Sequence, residues 1–419
     1  MILKTLDDID LKGKRVLFRV AYDVPLRRKG IGWIVADDSR IRATIPTLRH
    51  LIKKKCRIVI VTYLNRPGGK VVEKDKLNPV AKSLSTIINR PVKKLDTCTG
   101  PDVQKALDAM KPSDIVMLEN VRFSQGEETN DAAFAATLAS YADCVVFDAF
   151  AQSHRECPSI TGILSLLPSV CGLSMLQEYK TLTSLLAKPK YPFVVVMGGA
   201  KISDKVEALE HLLGIADIIL IGGAMAHNFL KAEGVKISAS LIEDPPIDSK
   251  KRQQHMYSVA EHILAKAKGI FVNLGHNQSI PKLVLPIDLV AASKAQDLAQ
   301  TEIVDLTGDH PLPWNWMYLD IGPNTANYYS SIIKKAKTIF WNGPMGYSEL
   351  QQFSTGTKAI AESIAANKGT TIIGGGDTEI VIKSLGLHKK YSFVSTGGGA
   401  SLYVLAGKEL PVLPYLKKS

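Results

Sequence analysis

Short, continuously apolar segments alternate with amphipathic helical patterns along nearly the whole of this 419-residue chain. Uninterrupted apolar segments of this kind are typical of parallel strands that helices cover on both faces. The chain is also too long for one ordinary hydrophobic core and long enough for two. The sequence therefore predicts an α/β protein with two parallel-sheet domains, whose strands lie at residues 16–20, 57–64, 114–118, 144–147, 193–197, 217–221, 338–341, 370–373 and 392–394.

The charge balance indicates the kind of ligand that the chain binds. Lys and Arg number 52 against 40 Asp and Glu, so the formal charge is 52 − 40 = +12. Small phosphorylated substrates and nucleotides would favour such an excess, and nucleic acid would also favour it. Because no RNA-binding signature or zinc-finger spacing accompanies the lysine-rich segments, nucleic acid is the weaker alternative, and those segments are more typical of a solvated surface.

Cysteine usage and hydropathy indicate the cellular compartment of the protein. The five cysteines are an odd number and form no CxxC pair, a pattern that favours reduced thiols in the cytoplasm. No apolar segment approaches the length that a membrane span requires. The N-terminal residues carry acids where an export signal needs an apolar stretch. We therefore predict a cytoplasmic protein without a membrane partner.

Glycines follow most predicted strands of the second half, in the segments MGGAK, IGGAM, WNGPMG, IIGGGDT and VSTGGGAS. Ligands of open α/β sheets bind at the carboxyl ends of the strands, and glycine there lets a ligand approach the backbone closely. The segment from Gly374 to Thr378 follows a strand and precedes a predicted helix, whose N-terminal amides can bind phosphate. Asp377 could hold a magnesium ion beside that phosphate, or it could serve only as a helix N-cap.

Two lysines lie four residues apart in the segment GGAKISDK, where we predict a helix that begins at Ser203. Positive charge at the start of a helix opposes the helix dipole. The pair Lys201 and Lys205 is therefore favourable when an anion lies beside it. The sequence predicts an anion-binding role for both lysines.

Polar and basic residues replace glycine at the strand ends of the first half. Arg40, Arg66, Arg122 and Arg155 each lie beside the end of a predicted strand or helix. Each one alone is more often a surface residue, but guanidinium groups that converge from several strands grip phosphate well. The sequence thus predicts a small-anion pocket in the first half and a nucleotide pocket in the second.

These segments, taken together, carry a family resemblance. In chain order they read RVAYDVPL, DDSRIRATIPTL, TYLNRPGG, LENVRFSQGEETND, DAFAQSHR, GGAKISDK, IGGAMAHNFLK, WNGPMG, GGGDT and STGGGASLYVLAGKELP. In that order they resemble phosphoglycerate kinases, from about residue 15 to about residue 411. The resemblance implies two Rossmann-like, three-layer αβα domains with parallel sheets, joined by a hinge. The sequence pattern places the connecting segment at about residues 166–188.

The resemblance also implies an activity and a division of labour. The enzyme would reversibly transfer a phosphoryl group between 1,3-bisphosphoglycerate and ADP, giving 3-phosphoglycerate and ATP, with a carboxyl group as the acceptor. This is a step of glycolysis and gluconeogenesis. Residues 1–170 would bind the glycerate, residues 171–395 would bind the magnesium nucleotide, and residues 396–419 would pack back on the first domain. The family resemblance further implies a monomer that needs Mg²⁺ and has no nucleic-acid partner.

Matching positions imply the site residues. Those with a catalytic role would be Arg40, Lys201, Gly376 and Gly399. Those that bind the acid substrate would be Ala21, Tyr22, Asp23, Arg40, Tyr63, Leu64, Asn65, Arg66, Arg122 and Arg155. Those that bind the nucleotide would be Gly198, Gly199, Lys201, Lys205, Gly222, Gly223, Asn342, Pro344, Glu349, Gly375, Gly376, Asp377 and Thr378, with Asp377 on the magnesium ion.

The chain departs from the family pattern in the substrate domain. The usual DFNVP reads Ala21-Tyr22-Asp23, and the usual HLGRP begins Tyr63-Leu64-Asn65. Asp23 adds negative charge beside an anion, so we expect weaker binding of 3-phosphoglycerate, unless Asp23 takes over the role of the missing acid. These departures leave open an alternative, a nucleotide-binding pseudoenzyme with a weakened substrate site. The basic nucleic-acid-binding protein remains the third and weakest hypothesis.

Overall fold

A computed structural model describes residues 2–243, 256–274, 279–308 and 312–418. The described chain forms two compact units. The N-terminal unit comprises the residues up to Thr181 together with those from Glu409 onward, and the C-terminal unit is Leu182–Lys408. The predicted α/β architecture with two parallel-sheet domains is confirmed.

The N-terminal unit contains a six-stranded parallel sheet whose strand order is β5-β6-β4-β1-β7-β8. Its four central strands overlap the predicted ones, and β1 and β7 are almost entirely buried. A short antiparallel hairpin, β2–β3, follows β1. The strands of this unit are β1 (Arg15–Val20), β2 (Leu26–Lys29), β3 (Gly32–Val35), β4 (Arg57–Val61), β5 (Lys93–Lys94), β6 (Ile115–Met117), β7 (Cys144–Asp148) and β8 (Ser169–Cys171).

Helices connect these strands, as parallel pairing requires. Some of their apolar residues, such as Leu48 and Leu51 of the second helix and Leu84 of the third, are completely buried in the core of this unit. The helices are α1 (Ser39–Ala43), α2 (Ile45–Lys53), α3 (Asn78–Ile88), α4 (Pro101–Asp108), α5 (Gln125–Glu128), α6 (Ala132–Ala139), α7 (Ile163–Leu166) and α8 (Leu173–Ala187).

The C-terminal unit is built around a second six-stranded parallel sheet, of order β13-β10-β9-β17-β18-β19. Its central strands β9 and β17 are buried at every position, which accounts for their continuously apolar sequences. The strands are β9 (Phe193–Met197), β10 (Ile218–Ile221), β11 (Phe271–Asn273), β12 (Ser279–Pro281), β13 (Leu283–Val284), β14 (Asp288–Ala292), β15 (Thr301–Asp305), β16 (Met317–Ile321), β17 (Thr338–Asn342), β18 (Thr370–Gly374) and β19 (Phe393–Val394).

Helices also join the parallel strands of this unit. An additional antiparallel sheet, β15-β14-β16, is one that the sequence did not predict. Strand β15 is mostly exposed and therefore lacks a continuous apolar sequence. The helices are α9 (Val206–Leu213), α10 (Met225–Ala232), α11 (Met256–Ala267), α12 (Pro323–Lys335), α13 (Thr355–Ala366), α14 (Gly376–Ser384) and α15 (Gly399–Leu405). Within the described residues, no helix is long and apolar enough to cross a membrane.

The boundaries of the units differ from the predicted 170/171 and 395/396. The first boundary falls between Thr181 and Leu182, inside α8, because the start of this helix is anchored in the N-terminal unit. There the Met175 N–H donates to Asp148 Oδ1 over 2.8 Å. The second boundary falls after Lys408, because α15 packs on α9 of the C-terminal unit.

Only the last residues return to the N-terminal unit. They form α16 (Leu413–Leu416), which packs against β8. Just beyond it, Lys417 pairs with Leu3 in an antiparallel bridge, and Lys418 forms an ion pair with Asp8 at 2.8 Å. The two ends of the chain therefore meet within one unit.

Candidate functional site

The carboxyl ends of four neighbouring strands meet at one edge of the N-terminal sheet. The order β6-β4-β1-β7 places the segments after these strands side by side. Most of the residues predicted to bind the acid substrate belong to those segments. We use the term arginine cluster for the following residues at this edge: Arg19, Asp23, Arg40, Tyr63, Asn65, Arg122 and Arg155.

The Arg122 side chain is held by three contacts. Its guanidinium carbon lies 3.8 Å from the centroid of the Tyr63 ring, and its Nη1 donates to the carbonyl of Asn65 over 2.8 Å. Its Nε lies 3.7 Å from Glu128 Oε1. A guanidinium has five N–H donors, so further donors remain for a ligand. Arg122 is thus held in place while part of its hydrogen-bonding capacity remains available.

Asp23 joins two loops of the cluster. Its backbone carbonyl accepts a hydrogen bond from Arg40 Nη1, and its Oδ1 accepts from the backbone N–H of Asn65 over 2.9 Å. Asn65 has a left-handed backbone (φ 59°), and its Nδ2 donates to Asp75 Oδ1 over 2.7 Å. The Asp23 carboxylate is therefore engaged in fixing the loop after β4.

The electrostatic environment of Tyr63 brings Arg155 into the same cluster. Burial raises the pKa of Tyr63, whereas the charges of Arg19, Arg122 and Arg155 lower it. Beside Arg155, burial and that arginine together lower the pKa of His154 to about 4. The charge of Arg155 therefore acts on Tyr63, as do the charges of Arg19 and Arg122.

The other predicted substrate residues have different surroundings. Tyr22 is buried, its backbone N–H donates to Thr62 Oγ1 over 3.0 Å, and its hydroxyl lies 2.7 Å from Thr44 Oγ1. Ala21 and Leu64 are also buried, whereas the Arg66 side chain is exposed. Hydrogen bonds through Asp23 and Asn65 link Arg40 with Arg122, and the charge of Arg155 acts on Tyr63 beside them. None of the described contacts links Arg66 to these arginines.

Arg19 is a member of the cluster that sequence reasoning missed. It is completely buried at 0% exposure, Nε donates to the Ser159 carbonyl over 2.8 Å, and Nη1 donates to the Val20 carbonyl. Its Nη2 is buried without a hydrogen-bond partner among the described residues. Burial lowers its pKa. Cys157, Tyr63 and Glu127 oppose that shift, and the charge of Arg122 adds a smaller lowering. Its only signal in the sequence was a charge inside an otherwise apolar strand.

Two cavities open at the corresponding edge of the C-terminal sheet. One of about 370 Å³ is lined mainly by the start of α14, the start of α15 and the turn before α9. Its lining includes several predicted nucleotide residues together with Gly399, a predicted catalytic residue: Lys205, Asn342, Gly375, Asp377, Thr378 and Gly399.

Gly375 and Asp377 shape the first cavity. Gly375 is the N-cap of α14 and has φ 93°; a Cβ there would lie 3.0 Å from Asn342 Nδ2. Asp377 stands in the first turn, and Thr378 Oγ1 accepts from the Gly343 N–H over 2.7 Å. At Gly376 a Cβ would meet no atom within 4 Å, so its backbone borders open space. The predicted phosphate loop therefore has both the open backbone and the carboxylate that its sequence indicated.

The second cavity, of about 500 Å³, has a more apolar lining. It includes Gly199, Gly223, Pro344 and Glu349, which were predicted to bind the nucleotide. Gly198 and Gly222 lie at the ends of β9 and β10 without lining it.

Close backbone packing explains why residue 223, which lines the second cavity, is a glycine. Gly223 has φ 63°, and a Cβ there would lie 2.5 Å from the Gly199 nitrogen. A larger residue would push the two loops apart. His227, Tyr318 and Asp320 also line this cavity, and sequence reasoning missed them because they lie outside the glycine clusters.

The two predicted lysines differ in their surroundings. Burial lowers the pKa of Lys205, and the charges of Asp204 and Asp377 partly oppose that shift. Lys201 is exposed and lines neither cavity. The prediction that the helix begins at Ser203 was wrong: α9 begins at Val206, and the Ser203 N–H instead donates to Glu243 Oε2 over 2.9 Å.

The donor groups in the first cavity can be compared with what a magnesium ion requires. Within the described ranges, no three His, Cys, Asp or Glu side chains converge on a point. A magnesium ion that accompanies a nucleotide takes one or two carboxylates and the phosphate oxygens, and it keeps several waters. Asp204, Glu207 and Asp377 line this cavity. Of these, the Asp377 carboxylate, in the first turn of α14 beside open backbone, fits such an ion.

Comparison with known proteins assigns the chain to a family. The family model described as phosphoglycerate kinase matches residues 6–408. The phosphoglycerate kinase of Rubrobacter xylanophilus is 40% identical over 98% of both chains, and that of Moorella thermoacetica is 42% identical over 97% of both.

Solved structures support the same family assignment. The phosphoglycerate kinase of Coxiella burnetii is 32% identical and superposes with a TM-score of 0.79 over 99% of this chain and 98% of its own. The enzyme of Pyrococcus horikoshii is 29% identical and superposes with a TM-score of 0.83 over the same shares. The predicted resemblance is thus confirmed over nearly the whole length, and the chain belongs to the phosphoglycerate kinase family.

Proposed function

We propose that the chain transfers a phosphoryl group reversibly between 1,3-bisphosphoglycerate and ADP, giving 3-phosphoglycerate and ATP. As a family member it is a phosphotransferase with a carboxyl group as acceptor. The observation that carries the specific proposal is the contrast between two sheet edges. One holds an arginine cluster suited to a small anion, and the other holds glycine-rich cavities lined by the half-buried Lys205 and by Asp377.

The arginine cluster would bind the acid substrate. Arg40, Arg122 and Arg155 are placed at the ends of strands or helices, and guanidinium groups bind phosphate and carboxylate with paired hydrogen bonds. In the ATP-consuming direction the nucleophile is a carboxylate, which is already ionised near neutral pH. The reaction therefore requires no general base, only alignment of the reactants and stabilisation of charge on the transferred group.

The cavities of the C-terminal unit would bind the nucleotide. The larger, more apolar cavity suits the base and ribose, with Glu349 at its edge. The smaller cavity suits the phosphates, because Lys205 and the amides at the start of α14 supply positive potential. Asp377 would hold the magnesium ion, which neutralises phosphate charge when it is bound.

The transferred group would meet cations and amides from several segments. We assign its stabilisation to Arg40, Lys201 and the backbone amides near Gly376 and Gly399. Since the two ligands are assigned to separate units, we also propose that the units close about the connecting segment, which would exclude water from the transferred group. The proposal includes a monomer in the cytoplasm, consistent with five free cysteines.

A coupled assay with 3-phosphoglycerate and Mg-ATP tests the proposal. We expect ADP formation that depends on both substrates. ADP binding without turnover would instead support the pseudoenzyme, which neither the family model nor the relatives favour. Strongly salt-dependent binding to a DNA or RNA oligonucleotide, with no turnover, would support the nucleic-acid alternative.

A further inference from the structure

A buried aromatic ring lies against two arginines of the arginine cluster. The Tyr63 side chain is only 2% exposed. The guanidinium carbon of Arg122 lies 3.8 Å from the centroid of its ring, and that of Arg19 lies 5.4 Å away. Both distances are within the range in which the electron-rich face of a ring attracts a cation.

The ring contacts two like charges. Because both guanidinium groups lie against the same ring, the two cations are close enough to repel each other. Arg19 is completely buried, and its Nη2 has no hydrogen-bond partner among the described residues. A carboxylate in the position of Tyr63 would offset this repulsion, but it would also repel an anionic ligand. An aromatic ring stabilises the cations without adding a formal negative charge.

We propose that Tyr63 is a positioning residue, whose ring holds the Arg122 guanidinium in the orientation that receives the acid substrate. This inference rests on the proposed function, because it takes the arginine cluster as the binding site for 3-phosphoglycerate. The ring carries this role rather than the hydroxyl, since the described residues offer the Tyr63 hydroxyl no hydrogen bond. Carbonyl and carboxylate contacts, to Asn65 and Glu128, then fix the rotation of the guanidinium about the ring.

If Tyr63 positions Arg122, losing its ring should weaken the binding of 3-phosphoglycerate but not the binding of the nucleotide. Removing the ring leaves Arg122 with its hydrogen bond to Asn65 but lets the guanidinium tilt away from the ligand. The affinity for 3-phosphoglycerate therefore falls, whereas the cavities of the C-terminal unit are unaffected. A purely structural role would lower stability without this selectivity.

Calorimetric titration of the full-length protein with 3-phosphoglycerate tests the proposal in wild type, Tyr63→Phe and Tyr63→Leu. We expect Tyr63→Phe to bind like wild type and Tyr63→Leu to bind about tenfold more weakly, which corresponds to one cation–π contact shielded from water. The KM for Mg-ATP stays unchanged in both. Tyr141→Leu, which removes another buried tyrosine of the same unit, controls for general loss of packing and leaves the affinity unchanged.

A double-mutant cycle tests whether the loss of affinity in Tyr63→Leu acts through Arg122. Combined with Arg122→Ala, Tyr63→Leu adds little further loss of affinity, because the group that the ring positions is already gone. Equal affinities in wild type and Tyr63→Leu, or additive losses in the double variant, overturn the positioning role while the proposed function stands. A wild-type protein that does not bind 3-phosphoglycerate overturns the proposed function itself.

Discussion

The two parallel sheets present opposite kinds of chemistry at their carboxyl edges. The N-terminal sheet ends in side chains that carry charge, with Arg40 and Arg122 held by backbone carbonyls. The C-terminal sheet ends in glycines, and the backbone at Gly376 borders open space. A small anion offers few atoms and must be gripped by charged groups, whereas a nucleotide is large enough to be bound by shape and backbone amides.

From this contrast we expect the two halves to differ in their tolerance of substitution. The N-terminal site departs from the family pattern at Ala21, Asp23 and Tyr63, yet its arginines remain. Long side chains can be held in place by several alternative partners. The glycine loops have no such freedom, because a single Cβ at Gly223 would overlap the Gly199 backbone.

The largest effect on turnover is expected for Lys201→Ala. The side chain is exposed, so its loss leaves the fold intact, but it removes a cation assigned to the transferred phosphoryl group. We expect kcat to fall about a hundredfold, on the order of 3 kcal/mol. Lys236→Ala removes another exposed lysine of the same unit and serves as the control. Unchanged kcat in the coupled assay would contradict the assignment of Lys201.

Substitution of the phosphate loop should combine an effect on stability with one on nucleotide binding. Gly375→Ala forces a Cβ to within 3.0 Å of Asn342 Nδ2 at a left-handed φ of 93°. We expect a loss of about 1–3 kcal/mol in stability and weaker binding of Mg-ADP. Gly376→Ala, where a Cβ meets nothing within 4 Å, should preserve the denaturation midpoint. Equal midpoints for the two variants would disprove the backbone argument.

The N-terminal unit should also show a pH-dependent stability that originates at Asp148. Burial raises the pKa of this carboxyl to about 7, although Thr47 and the Met175 and Ser174 amides favour its ionised form. The folded state then binds more protons than the unfolded state between pH ~4 and ~7. The contribution of Asp148 to stability is complete below that range and is lost as the pH rises through it.

Asp148→Asn should therefore flatten the dependence of unfolding free energy on pH, by at most about 1.4 kcal/mol per pH unit. Denaturation midpoints measured at intervals from pH 5 to pH 7.5 test this. The exposed Asp102→Asn serves as the control and keeps the wild-type slope. An unaltered slope in Asp148→Asn would mean that the carboxyl is ionised throughout.

The smallest effect is expected for Asp23→Asn. The amide oxygen can still accept the Asn65 N–H, while the negative charge beside the arginine cluster is removed. We expect 3-phosphoglycerate to bind about threefold more tightly at low ionic strength, and the gain should shrink as salt is added. Weaker binding would instead show that the Asp23 carboxylate bonds the substrate and replaces the acid missing from the family pattern.

The sequence predicted the sheets well because their central strands are buried on both faces. Strand β9 matches its predicted bounds, whereas β4 ends at Val61 rather than at residue 64. Tyr63 and Leu64 are buried within a loop, so their apolar character imitated a strand. The exposed strand β15 was missed for the opposite reason.

The site was only partly predictable. Glycine clusters and arginines at strand ends are local signals, and they located the two edges. Arg19 could not be found in this way, because its neighbours Tyr63 and Arg122 lie in the segments that follow two other strands. The start of α9 was misplaced because Ser203 hydrogen-bonds with Glu243, a residue distant in sequence.

The central claim is that each unit binds one substrate, and a crossed titration tests it most directly. Arg122→Ala and Asp377→Asn are each titrated calorimetrically with 3-phosphoglycerate and with Mg-ADP. We predict that Arg122→Ala weakens only 3-phosphoglycerate binding and that Asp377→Asn weakens only Mg-ADP binding. Loss of Mg-ADP affinity in Arg122→Ala, or of 3-phosphoglycerate affinity in Asp377→Asn, would contradict the account.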